Sequence, residues 1–216
     1  MEQPFTSFND NTIGPIMDLG LTDYAAVRQK QLALALSVAL KKQEELIIIT
    51  EHFPVYTCGR GTKPHERPVG SDIPVVDIER GGGLTYHGPG QLVGYPILNL
   101  NRRKMSIPQY LRKLENILIE TLEEVGVSGA AYRKECLAGV WVGDLKIASI
   151  GIAVRRWVTF HGFALNMDVD MEPFKNAQPC GMSGNKMTSL KELGYNIPQE
   201  KIHSLVTEKL LQVFCQ

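Results

Sequence analysis

Apolar residues along this chain recur either near every 3.6 positions or in alternating and continuous runs, and the switches between the two rhythms lay out its elements. Residues 1–20 carry little helical pattern and contain Gly14-Pro15, so they predict an extended lead-in with an edge strand around Ile16-Met17-Asp18-Leu19. From Thr22, placed to cap a helix, Tyr24, Val27, Leu34 and Val38 approximate one face, broadened by Leu32, Leu36 and Leu40. Leu46-Ile47-Ile48-Ile49-Thr50 is continuously apolar and β-branched, the pattern of a strand covered on both faces. A strand from Glu51 into Gly59-Arg60-Gly61 leaves His52 and Arg60 near the sheet end, and polar Lys63 to Asp72 forms a surface loop. Ile73 to Ile78 is the next strand, and Leu92 to Leu98 another, which Pro96 places at an edge or a bulge.

The clearest helix has Ser106 as cap, Pro108 in its first turn, Tyr110, Leu111, Leu114, Ile117, Leu118, Leu122 and Val125 at helical spacing, and Gly126 at its end. That stripe is core packing without chemistry. Ala138–Val142 and Leu145–Val154 flank the two-residue turn Gly143-Asp144, and Arg155-Arg156 turns into Trp157–Asn166, completing a three-stranded meander. Residues 168–179 are irregular, Thr188–Leu193 make a short helical turn, and a last helix after Pro198 points Ile202, Leu205, Val206, Leu210, Val213 and Phe214 inward. The expected fold is α/β (α+β), a mixed sheet with packed helices. At 216 residues, a single domain over 1–216 is the economical organisation.

Lysine plus arginine equals aspartate plus glutamate at 23 each, so no broad basic field exists to hold nucleic acid or an anionic membrane. The amino terminus lacks a basic start followed by an apolar run, and no apolar stretch approaches the ~20 residues of a membrane span. A cytoplasmic protein is expected. Cys58, Cys136, Cys180 and Cys215 lack Cys-x-x-Cys spacing, against a zinc knuckle or a secreted disulfide framework.

Candidate chemistry concentrates in three places. Arg80-Gly81-Gly82-Gly83-Leu84-Thr85-Tyr86-His87-Gly88-Pro89-Gly90-Gln91 holds five glycines, which supply nothing to pack but let a ligand approach the backbone. It fits neither phosphate-loop nor dinucleotide spacing, and as a binding loop it competes with a plain glycine-rich hairpin. Lys146 shares a strand face with Ala148, Ile150 and Ile152, where a lysine must snorkel, pair or act. Cys180, between Pro179 and Gly181, sits in turn-like surroundings, whereas Cys58, Cys136 and Cys215 suit burial as small hydrophobes. A cysteine nucleophile works as thiolate, and an ammonium beside it lowers its pKa, so Lys146 and Cys180 form a candidate dyad.

The glycine segment closely resembles the signature of lipoyl(octanoyl) transferases. The resemblance extends in order through Glu51-His52, Gly59-Arg60, Arg80 to Pro96, Gly139-Val140-Trp141-Val142, Lys146 to Gly151, His161 to Asn166, Pro179-Cys180-Gly181 and Thr188-Ser189-Leu190. Leu137-Ala138-Gly139 stands where Pro-Gly is frequent. The resemblance implies the catalytic-domain fold of biotin- and lipoate-protein ligases, with Cys180 taking the acyl group and Lys146 lowering its pKa. It implies an acyl site lined by Arg80, Gly81, Gly82, Gly83, Leu84, Thr85, Tyr86 and His87, by Ser149, Ile150 and Gly151, and by Gly162, Phe163 and Ala164. The implied activity moves an octanoyl or lipoyl group from acyl carrier protein to a lysine of lipoyl domains, in 2-oxoacid dehydrogenases and the glycine cleavage H protein. No metal, cofactor, nucleic acid or membrane is expected, and the chain is expected to work as a monomer. His52, His87 and His161 are left as orienting groups or structural hydrogen-bonders. An ATP-dependent lipoate ligase, a non-catalytic acyl-binding domain and a cysteine hydrolase are the alternatives.

Overall fold

The structure, a computed structural model, describes residues 16–68, 70–133, 138–177 and 186–214. In chain order the elements are β1 (Ile16–Thr22), α1 (Tyr24–Ala39), β2 (Leu46–His52), β3 (Val55–Cys58), β4 (Val75–Asp77), β5 (Leu84–His87), β6 (Gln91–Ile97), α2 (Ile107–Glu124), β7 (Ala130–Ala131), β8 (Gly139–Val142), β9 (Leu145–Arg155), β10 (Val158–Asn166), α3 (Glu172–Lys175) and α4 (Gln199–Phe214). Among the described residues the strands form a seven-stranded sheet, ordered β1-β2-β6-β10-β9-β8-β7, and a three-stranded sheet, β4-β3-β5. The large sheet is mixed: β1 runs parallel to β2, and its other neighbours are antiparallel.

The apolar run of β2 follows from its place between two layers. Successive side chains on a strand point to opposite faces. Ile47 and Ile49 join the core beneath α2 and α4, while Leu46 and Ile48 join the one beneath α1. Burying each such side chain stabilises by about 1.5–3 kcal/mol, so the run holds both layers to the sheet. Helix α2 starts where expected: Ser106 Oγ accepts from Gln109 N at 3.4 Å, and Gln109 Oε1 accepts from Ser106 N at 2.8 Å. It ends at Gly126, whose φ is +89°. Helix α4 buries Ile202, Val206, Leu210 and Phe214, a strict four-residue repeat, with Leu205 and Val213 at its margin.

Several expectations are corrected. The cap of α1 is Asp23, whose Oδ1 accepts from Ala26 N at 2.9 Å, while Thr22 belongs to β1. Its buried face is Tyr24, Val27, Gln31, Ala35 and Val38, and Leu36 and Leu40 are exposed. The hydrophobic count misled because the inward stripe admits Gln31 and Ala35, which a leucine-weighted reading passes over. A third of the glycine segment is strand β5, paired with β3 in the small sheet. Residues 172–175, expected irregular, form α3.

Pro96 does not mark an edge, since β6 lies between β2 and β10. The β6–β10 ladder stops at Phe163 opposite Gly94 and resumes at Val158 opposite Asn99. Within the gap His161 takes φ +57° and gives its backbone N–H to Gln31 Oε1 at 2.7 Å. Thr159 Oγ1 donates to Pro96 O at 2.7 Å and accepts from Leu98 N at 3.0 Å, so a side chain bridges β6 and β10 where their backbone ladder is interrupted.

Candidate active site

Strand β8 covers β9 only from Leu145 to Ser149, which leaves the second half of β9 without a strand on that side. The glycine segment fills the place: Gly81 N donates to Ile152 O at 2.9 Å. Its other flank is held by the turn at residues 59–61, where Gly59 N donates to Gly83 O, Arg60 N to Arg80 O and Gly61 N to Gly82 O. Arg80 braces this arrangement from within, its guanidinium donating to Thr57 O at 2.9 Å, Thr57 Oγ1 at 3.0 Å and Gly81 O at 3.0 Å. Gly81 thereby spends its N–H on β9 and is not a donor for a bound carbonyl. The glycines serve backbone-to-backbone packing as well as open access.

Between these backbones lies a cavity of about 410 Å³. Arg80, Gly81, Gly82, Thr85, His87, Ser149, Ile150, Gly151, Gly162, Phe163, Ala164 and Lys146 share its wall. Gly83, Leu84 and Tyr86 are not on it. Because β5 is a strand, its side chains alternate: Thr85 and His87 face the cavity, while Leu84 and Tyr86 enter a separate core with Tyr56 and Phe174. Reading the segment as a loop hid that alternation.

Lys146 is 1% exposed. It sits opposite Trp141, beside an irregularity in the β8–β9 register, with Nζ 5.6 Å from the indole centroid. Gly139 has φ +151°, and a Cβ there would lie 2.6 Å from Lys146 Cε, so only glycine leaves room for the lysine stem. The Gly139 N–H donates to Glu115 Oε1 at 3.2 Å, which puts a buried carboxylate from α2 under the same turn. Lys146 also meets the chain that follows residue 185: it bridges to Met187, and Thr188 N donates to its carbonyl at 2.9 Å. Cys180, Cys136 and Cys215 lie outside the described residues. Cys58 is buried, and burial pushes its thiol pKa up, as suits a packing residue.

The other end of the cavity is polar. Tyr24, His52, His87, Tyr95 and His161 form a chain of ring contacts, with centroids 5.2 Å apart for Tyr24–His52, 5.8 Å for Tyr24–His87 and 6.4 Å for Tyr95–His161. Burial takes the His52 imidazole down to about 4; burial and the neighbouring His52 take His87 down to about 3. His161 is lowered by burial too. His52 and His87 are therefore neutral at ordinary pH, while the Glu79 carboxylate works against the effect of burial at His161. Gln91 Nε2 donates to Tyr86 O at 3.1 Å and Asn166 Oδ1 at 2.8 Å, so its Oε1 is the acceptor facing His87 Nδ1 at 2.6 Å. His87 thus carries its proton on Nδ1 and leaves Nε2 as an acceptor. Asn166 Nδ2 continues the chain to Thr188 O at 2.8 Å, linking His87 to the segment bonded to Lys146.

Sequence reasoning missed Tyr24, Tyr95, Ile107 and Leu111 as wall residues. Leu111 was hidden in the helical stripe, and nothing local marks Tyr24. Arg60, also on the wall, carried a signal in its flanking glycines. Among the described residues no group of three or more His, Cys, Asp or Glu is placed to hold a metal ion, and no helix is long and apolar enough to cross a membrane.

A mixed sheet layered between helices is a fold shared with protein ligases. The fold matches lipoate-protein ligase A bound with ATP, at TM-score 0.71 and 14% identity, over 93% of this chain and 85% of that one. It also matches a biotin protein ligase from Aquifex aeolicus at TM-score 0.52 and 11% identity, over 93% and 69%. The lipoyl protein ligase A/B catalytic domain family matches residues 23–211, and the chain belongs to that family. Its relatives include an octanoyltransferase of Syntrophotalea carbinolica, 46% identical over 82% of this chain and 83% of that protein. Another, from Xanthomonas euvesicatoria, is 38% identical over 98% and 90%. The chain is accordingly a transferase of the acyltransferase class.

Proposed function

We propose that this protein moves an octanoyl group from the thioester of acyl carrier protein to a lysine amine of an apo lipoyl domain, by way of a thioester on Cys180. The observation that carries the reading is Lys146, a lysine buried in the wall of a largely apolar cavity, in a chain related to octanoyltransferases. Met187, bridged to Lys146, follows Cys180 by seven positions, and the chain between them is short.

In the first step the Cys180 thiolate attacks the octanoyl carbonyl, the bond to the carrier sulfur breaks, and the Lys146 ammonium gives its proton to the departing thiolate. Lys146, now neutral, takes a proton from the acceptor amine as that amine attacks the enzyme thioester. The amide forms, Cys180 leaves as thiolate, and the Lys146 ammonium is restored. A thioester is exchanged for an amide, which is downhill, so no nucleotide enters. Ser149 to Gly151 and Gly162 to Ala164 supply the walls along which the acyl chain lies.

The test is intact-protein mass spectrometry after mixing with octanoyl-acyl carrier protein without ATP. The wild type should gain one hydroxylamine-labile octanoyl group and pass it to an added apo lipoyl domain, and Cys180→Ser should gain none that is labile. Modification of the domain only with ATP and free octanoate would replace this reading with that of a ligase.

A further inference from the structure

We infer that the end of the cavity bounded by Tyr24 and His161 holds ordered water, and that this water limits the length of acyl chain the cavity accepts. The inference rests on the acyl-transfer reading and adds the rule by which that site measures its substrate. Lys146 stands at one end of the cavity. Six positions further along β9, Ile152 pairs with His161, which joins Tyr24, His87 and Tyr95 among the polar residues of the wall.

Tyr24 and His161 are 3% and 2% exposed. Among the described residues Tyr24 Oη and His161 Nε2 have no hydrogen-bond partner. His161 Nε2 lies 3.6 Å from Glu79 Oε1, within ion-pair distance but longer than a direct hydrogen bond, and Glu79 Oε1 is likewise buried without one. His87 adds a third group, since its Nδ1 is committed to Gln91 and its Nε2 keeps an acceptor pair. Buried polar atoms are satisfied in nearly all native proteins, by water where protein groups do not reach. A roomy site with several polar partners is where such water is held.

An alkyl chain can satisfy none of these atoms. A methylene added inside a dry apolar tunnel strengthens binding about fourfold. One that strips water from Tyr24 Oη or His161 Nε2 instead leaves a buried group unsatisfied, and the gain is reversed. The acyl chain is therefore stopped by hydration rather than by a steric wall.

Tyr24→Phe isolates the effect. The ring contacts with His52 and His87 remain, and only the hydroxyl is deleted. The ratio of kcat/KM for decanoyl over octanoyl thioester should rise about tenfold. The control is Tyr110→Phe, whose hydroxyl is likewise buried but lies on α2, off the cavity wall; its ratio should match wild type. A Tyr24→Phe ratio within about twofold of wild type, or an equal rise in Tyr110→Phe, overturns the inference. Dissociation constants for free octanoate and decanoate read the same ratio without turnover. A protein that binds both acids yet transfers neither would sink the acyl-transfer reading, while the binding ratio would still decide the length rule.

Discussion

Asn166 is the joint between the two ends of the site, and replacing it by leucine tests whether that joint matters. The side chain is 1% exposed and shares leucine's branched shape and four heavy atoms, so Asn166→Leu leaves no cavity. It removes the 2.8 Å bond to Thr188 O and the 2.8 Å bond from Gln91 Nε2. An orphaned buried polar group costs about 1–3 kcal/mol. Thr188 O is orphaned at about 1–3 kcal/mol, and Gln91 Nε2, which keeps Tyr86 O, adds about 1 kcal/mol for its lost bond, so the total is about 2–4 kcal/mol. For a typical urea m value of about 2 kcal/mol/M that is a shift in midpoint of about 1–2 M at unchanged slope. Asn166 and Gln91 share one network, so Asn166→Leu and Gln91→Leu should be non-additive by about 1 kcal/mol in a double-mutant cycle. Because Thr188 is also bonded to Lys146, the kcat of acyl transfer should fall in Asn166→Leu with KM for the donor little changed. An unfolding loss below about 1 kcal/mol, or strict additivity with Gln91→Leu, would refute the network.

Three further outcomes are expected. Lys146→Met should cut acyl transfer by about 10²–10⁴-fold, the range of general acid–base catalysis; near-wild-type turnover would remove Lys146 from the mechanism. Gly162→Ala would press a Cβ against Gly94 O and place it 3.0 Å from Pro96 Cδ, so unfolding should show about 3 kcal/mol lost, and a loss below about 1 kcal/mol would contradict this packing. His52 and His87, lowered to about 4 and about 3, bind fewer protons folded than unfolded across the interval below pH ~6.5. Stability should be level above that pH and lost as pH falls through it, by up to about 1.4 kcal/mol per pH unit for each ring, and a urea midpoint equal at pH ~7.5 and ~5.5 would show otherwise.

What the sequence determined by itself was whatever neighbours along the chain decide. β2, the capped helix α2, the hairpin at Gly143-Asp144 and the amphipathic α4 are local patterns, and each appears at its expected place. Lys146 was legible for the same reason: a lysine in phase with Ala148, Ile150 and Ile152 breaks a strand's alternation, wherever the strand ends up.

Tertiary structure decided what depends on partners far apart in sequence. That Pro96 sits mid-sheet follows from Thr159, 63 positions away, supplying a side-chain bond. That His87 is a neutral acceptor follows from Gln91, whose amide is oriented by Asn166, 75 positions on. That Tyr24 bounds the cavity follows from α1 packing against β10, and nothing near Tyr24 in the chain encodes it. Periodicity reports which face of an element is apolar. Which polar atoms are left facing one another is set only when those faces close, because burial, protonation and hydrogen bonding are properties of the assembled site.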